Sequence, residues 1–111
     1  MTPNKAIETV DRLKPNTYSE EDKLRWINEL EGMVQSLVIQ ADDIKQLSYP
    51  DDMDKKLIIP APYDDCYTLF LEAKIDFYNK ELDNYNNSAM MFEAQYSEYR
   101  KDYIRKHPAK G

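Results

Sequence analysis

This chain of 111 residues contains two glycines, one cysteine and one histidine. With no Asn-Gly or Asp-Gly pair it lacks the preferred turns of tight two-residue hairpins. The glycine patterns that cradle phosphates in Walker and Rossmann loops are absent too. Cys66 has no partner for an intrachain disulfide, and a site built from several thiolates is excluded; both fit a reducing compartment. His107, close to a terminal proline, gives poor support to a Ser/His/Asp triad or a three-histidine zinc site. No apolar run approaches the roughly 18 residues of a membrane span. The first residues, Met-Thr-Pro-Asn-Lys-Ala-Ile-Glu, hold no apolar core of a signal peptide, so none is expected.

Acidic side chains, by contrast, are abundant. Residues 1–99 hold 10 basic and 20 acidic groups, a balance of −10, while residues 100–111 hold five basic and one acidic, a balance of +4. An acidic body repels nucleic acid, because phosphate contacts need clustered Lys and Arg. Specific nucleic-acid binding is therefore not expected. The basic end (Arg100, Lys101, Arg105, Lys106, Lys110) reads first as the cationic last turn of a helix, which offsets the negative end of its dipole.

The length fits a single domain over residues 1–111, and the pattern predicts an all-α fold of about four helices. The first runs over 3–13, with Thr2 as N-cap, Pro3 at the first helical position and Pro15 as the stop. The second runs over 19–40. Ser19 caps it, Glu20, Glu21 and Asp22 face the positive helix end, and Leu24, Ile27, Leu30, Val34, Leu37 and Val38 form the apolar stripe. Tyr18 is placed to staple onto Lys23 or Leu24. Gly32, inside this helix, predicts a close backbone approach by the first helix or a neighbouring subunit.

Residues 41–63 read as an irregular, solvated acidic loop. It has no glycine and no closing glutamate for a calcium loop. Leu57-Ile58-Ile59 reads as a short extended piece, kept from central-strand pairing by Pro60 and Pro62. The prolines mark a hinge between a mobile acidic loop and the next helix. That helix is predicted over 65–83, capped by Asp64 or Asp65 and the most buried of the four. Asp83-Asn-Tyr-Asn-Asn-Ser88 predicts a break, with one kinked helix as the alternative. The last helix then covers 87–106. Its Tyr85, Ala89, Phe92, Tyr96, Tyr99 and Tyr103 repeat at four and three residues, a seam that packs one helix on another. The seam reads first as core and second as an intersubunit surface.

Carboxylates have ordinary explanations as caps and solvated faces. Glu72 and Asp76, four apart on one helix, could pair for acid–base or metal chemistry, but no histidine stands beside them and a solvated face is the first reading. Cys66 reads as a small buried side chain. No catalytic residue, metal ligand or cofactor is expected, and the chain does not read as an enzyme.

Three stretches taken together resemble a family: Tyr18-Ser-Glu-Glu-Asp-Lys-Leu-Arg-Trp-Ile-Asn-Glu-Leu-Glu-Gly32, Ile59-Pro-Ala-Pro-Tyr-Asp-Asp-Cys-Tyr67, and Asp83-Asn-Tyr-Asn-Asn-Ser88 leading into the tyrosine-rich helix. They are similar to the small head–tail connector, head-completion or adaptor proteins of tailed phages and prophages, over roughly residues 5 to 106 by the same patterning. The resemblance implies a non-enzymatic virion protein, present in the bacterial cytoplasm during assembly. It would form a homo-oligomeric ring between the portal and tail-side proteins. Trp26, Pro60, Pro62 and Tyr63 are the expected exposed contact residues, with Tyr99 and Tyr103 on the seam; Trp26 and Tyr63 packing on each other is the alternative. A ring needs two different complementary patches per copy, for which loop 42–54 and the basic end 100–110 are candidates. The competing reading is a small helical interaction or regulatory module that binds through the tyrosine seam.

Overall fold

The computed structural model describes residues 1–108, all-helical with intervening turns. Four α-helices follow in order: α1 Pro3–Leu13, α2 Glu20–Met33, α3 Asp65–Tyr78 and α4 Leu82–Lys106. A π-helical turn, Val34–Ile39, prolongs α2. The expected all-α fold of about four helices is borne out, and α3 is its centre, packed against α1, α2 and α4.

Local signals act where they were read. The Thr2 hydroxyl accepts from the Lys5 amide at 3.2 Å, and the Ser19 hydroxyl from the Asp22 amide at 3.0 Å. Both satisfy amides that a helix start leaves without partners. Asp64 holds the cap position of α3, yet its side chain makes no capping bond. Tyr18 is half-buried and packs against the core cluster that includes Leu24. Its ring meets Trp26 edge-on at 5.4 Å, and its hydroxyl donates to Asn79 at 2.8 Å.

The π turn ends on Gln40 in the left-handed region, φ 59°, and the Ala41 amide reaches back to the Gln35 carbonyl at 2.8 Å. Gly32 meets no backbone. Within this chain a Cβ built there would touch only the Ile44 side chain at 3.9 Å, so the expected approach by the first helix is not found.

The break between the last two helices falls earlier than Asp83–Ser88. α3 stops at Tyr78, five residues before the expected 83, and α4 starts at Leu82 rather than 87. Lys80 adopts φ 60°, its amide reaching the Phe77 carbonyl at 3.1 Å and the Glu81 amide the Asp76 carbonyl at 2.9 Å. This is the paired-bond stop usually built on glycine. Lysine takes the position here, which is why no glycine marked it. The Asp/Asn-rich stretch is helical, with Asn84 donating to Glu81 at 3.0 Å and Ser88 donating across to Asp76 of α3 at 3.0 Å.

The segment 41–63 keeps its exposed acidic residues and is fastened to α2 and its π-helical extension by side-chain hydrogen bonds. The Asn28 amide pairs with the backbone of Leu47 in both directions, at 3.0 and 2.9 Å. Gln35 does the same with Lys45, at 2.9 and 2.8 Å. Each side-chain amide replaces a strand neighbour, since it sets an N–H donor beside a C=O acceptor. Met53, Leu57 and Ile59 enter the core, and the Asn4 amide donates to the Met53 carbonyl at 2.9 Å.

The tyrosine seam of α4 faces its own domain. Phe92, Tyr96 and Tyr99 are buried, Tyr85 and Tyr103 half-buried. Phe92 stacks on Tyr96 at 5.5 Å and meets Phe70 of α3 at 5.2 Å. The core reading of the seam therefore describes the fold.

Candidate functional site

The extended piece Leu57–Ile59 is held without a sheet. Its three amides donate in turn to the Met1 carbonyl at 2.8 Å, the Glu31 carboxylate at 3.0 Å and the Tyr67 hydroxyl at 2.8 Å. Tyr67 in turn donates to the other Glu31 oxygen, deep in the core. Burial raises the Glu31 pKa above its ordinary value, against the two hydrogen bonds that favour the charged form. Tyr67 is pushed upward by burial first and by the Glu31 charge second. A carboxylate buried among donors and without a cation is a cost that the fold retains to place backbone amides. Sequence reading missed Glu31, because its partners lie 27 and 36 residues away.

The second buried carboxylate is Asp76, fully enclosed. It takes the Lys14 ammonium at 2.7 Å and the Ser88 hydroxyl at 3.0 Å, joining α1, α3 and α4. Glu72 lies one turn away, half-buried, its pKa raised mainly by burial. Asp76 is thus committed to fastening three helices. Among the described residues, no group of three or more His, Cys, Asp or Glu side chains is placed to hold a metal ion. Cys66 is buried, and its thiol is pushed up to about 12 by burial and then by Asp65 and Asp64. A thiol in that state is a poor nucleophile.

The expected contact residues separate into two kinds. Pro60 and Pro62 are exposed and Tyr63 is half-exposed, its ring 6.1 Å from Tyr99. Trp26 is a correction: it is 2% exposed, stacked on Tyr78 at 5.5 Å, and is no exposed anchor in this chain. It does not pack on Tyr63. Tyr99 is also buried, and Tyr103 half-buried against Tyr99 and His107. Among the described residues, seven apolar ones not among those expected are more than half exposed: Phe77, Leu82, Met90, Leu13, Leu37, Met91 and Ile104.

Leu13, Leu37, Met91 and Ile104 gather at two places along α4. One is a groove of about 530 Å³ between α1, α3 and α4, where Leu13, Leu69, Met91 and Ala94 are joined by Asp65 and Glu72. The other is the basic end, where Ile104 and Leu37 stand beside Arg100 and His107. Arg100 lies over the Tyr96 ring at 5.7 Å, whereas Arg105 and Lys106 are paired with Asp102 at 2.6 and 3.0 Å. Hydrogen bonding to Lys106 leads the effects that hold the Asp102 carboxyl below its usual range.

No helix among the described residues is long and apolar enough to cross a membrane. Comparison with protein-family models, with curated proteins and with solved structures finds no match for this chain.

Proposed function

We propose that this chain is a non-enzymatic structural protein of a tailed phage or prophage, a connector or adaptor that assembles as a ring between portal and tail. The three stretches described above support the reading by resemblance. The observation that carries it is the division of free surface along α4. A basic end with exposed Ile104 belongs to the same molecule as an apolar groove edged by Asp65 and Glu72. Two unlike patches on one chain are what a heterologous, head-to-tail contact requires, and such contacts close into rings when the rotation permits. An acidic body also suits a channel through which DNA must slide without binding. On this reading the protein resides in the virion, and in the bacterial cytoplasm during assembly.

The experiment is to mix the chain with a tailed-phage portal protein and image the product by negative stain. Rings, or density added below the portal, are expected. A chain that neither forms rings nor binds the portal sinks the proposal. The alternative, a small interaction or regulatory module, has to find a surface other than the tyrosine seam, which is turned inward.

A further inference from the structure

The two patches sit on opposite sides of one helix. Met91, Ala94 and Gln95 of α4 line the groove, while Arg100, Tyr103 and Ile104 line the basic end. From Met91 to Ile104 is thirteen residues, which turns the helix surface by about 220° and advances it about 20 Å. A partner seated on one patch therefore leaves the other free.

The patches are also complementary in chemistry. The groove has an apolar floor and rim, with Leu13 60% exposed. Two carboxylates lie on its wall, Asp65 and Glu72. Lys14, which lowers the Glu72 pKa from nearby, is itself held by Asp76. Thr68 also lines the groove, its hydroxyl buried and without a hydrogen-bond partner among the described residues. The basic end offers Ile104, 64% exposed, and Arg100 one helical turn before it on the same face. No carboxylate lies within ion-pair distance of Arg100 among the described residues. In the acidic loop Asp52 is engaged by Ser48 and Lys55 and Asp54 by Asn4, while Asp42, Asp43 and Asp51 are exposed.

We infer that the groove between α1, α3 and α4 receives the C-terminal turns of α4 from a second copy of this chain, with Ile104 on the apolar floor and Arg100 against Asp65 and Glu72. This rests on the self-assembly reading and names the contact that would carry it. The repeat is head-to-tail, so each copy uses its groove for one neighbour and its helix end for the other. Part of the attraction is between opposite charges near the surface, and it weakens as salt rises.

The test uses two full-length variants, Leu13→Glu to block the groove and Ile104→Glu to block the helix end. Both sites are exposed, so circular dichroism should show an unchanged fold. Sedimentation velocity is run at low salt and millimolar chain concentration. The wild-type chain should form species larger than dimers, and each variant alone should associate at least about tenfold more weakly. An equimolar mixture of the two should give a dimer and nothing larger, because each variant keeps one half of the contact. A second pair, Glu72→Lys and Arg100→Glu, should weaken association singly and restore it when combined in one chain. If the wild-type chain assembles while the Leu13→Glu and Ile104→Glu mixture stays monomeric, or either variant assembles as well as wild type, the inference is overturned and the ring reading stands. A wild-type chain that stays monomeric overturns the inference; if it also fails to bind the portal, the ring reading falls with it.

Discussion

The Tyr67 hydroxyl donates to the buried Glu31 carboxylate while accepting from the Ile59 amide at 2.8 Å. One side chain of α3 thereby joins α2 to the segment that precedes α3. Tyr67→Phe keeps the ring and removes both bonds, leaving the Ile59 amide and one Glu31 oxygen without partners in the core. The expected loss is about 1–3 kcal/mol, read as a lower urea midpoint with an unchanged slope. A midpoint equal to wild type would show that the network contributes nothing to stability.

The Glu31 carboxyl gives that network a pH dependence. Burial raises its pKa above the ordinary glutamate value of 4.5. A raised folded-state value means the native chain holds the proton more tightly than the unfolded one. Its contribution is therefore fully present below pH 4.5 and is lost as pH rises through the folded value. Glu72 shifts in the same direction, also by burial. Asp52 and Asp102 are lowered and act oppositely, in the more acidic range below the aspartate value of 3.8. Thermal melts of Glu31→Gln across this range should show a flatter decline above pH 4.5 than wild type. Parallel profiles for the two proteins would contradict the assignment.

Lys14 and Asp76 should respond unequally to removal. The Asp76 carboxylate is fully buried, whereas the Lys14 side chain reaches solvent. Lys14→Met strands a buried charge with only the Ser88 hydroxyl, at an expected cost of about 3–5 kcal/mol. Asp76→Asn keeps a hydrogen-bonding group and lets the ammonium turn to water, so about 1.5–3 kcal/mol is expected. Denaturation midpoints for the two variants decide the order, and a larger loss in Asp76→Asn would reverse the interpretation.

Two exposed or half-exposed backbone positions invite opposite exchanges. Lys80 stands at φ 60°, where a side chain is strained and glycine is not. Lys80→Gly should stabilise the chain by about 0.5–1 kcal/mol. Gly32 lies in regular helix with room for a methyl group, 3.9 Å from the Ile44 side chain. Gly32→Ala should also stabilise, by about 1 kcal/mol. Melting temperatures of both single variants and of the double variant measure this, and the two effects should add because the sites share no partner.

Helix caps and the repeat of apolar residues were legible because each depends on neighbours three or four residues away. Thr2, Ser19 and the seam from Phe92 to Tyr103 behave as their spacing predicts. The stop at Lys80 was not legible, since lysine carries no sign that it will take a left-handed conformation and Asp83–Ser88 carried stronger turn signals. Trp26 stood out in the sequence as an anchor, but burial beneath Tyr18 and Tyr78 is settled by packing and not by residue type.

The sequence by itself determined the helical class, the number of helices and the side of α4 that faces the core, because periodicity and capping are local physics. Only the tertiary structure decided which polar side chains matter. Glu31, Asp76, Asn28 and Gln35 acquire their roles from partners 10 to 62 residues distant. The groove edged by Asp65 and Glu72 arises the same way, where three helices fail to close over Leu13 and Met91. Contacts between distant segments form only when the chain is compact, and no local pattern encodes them.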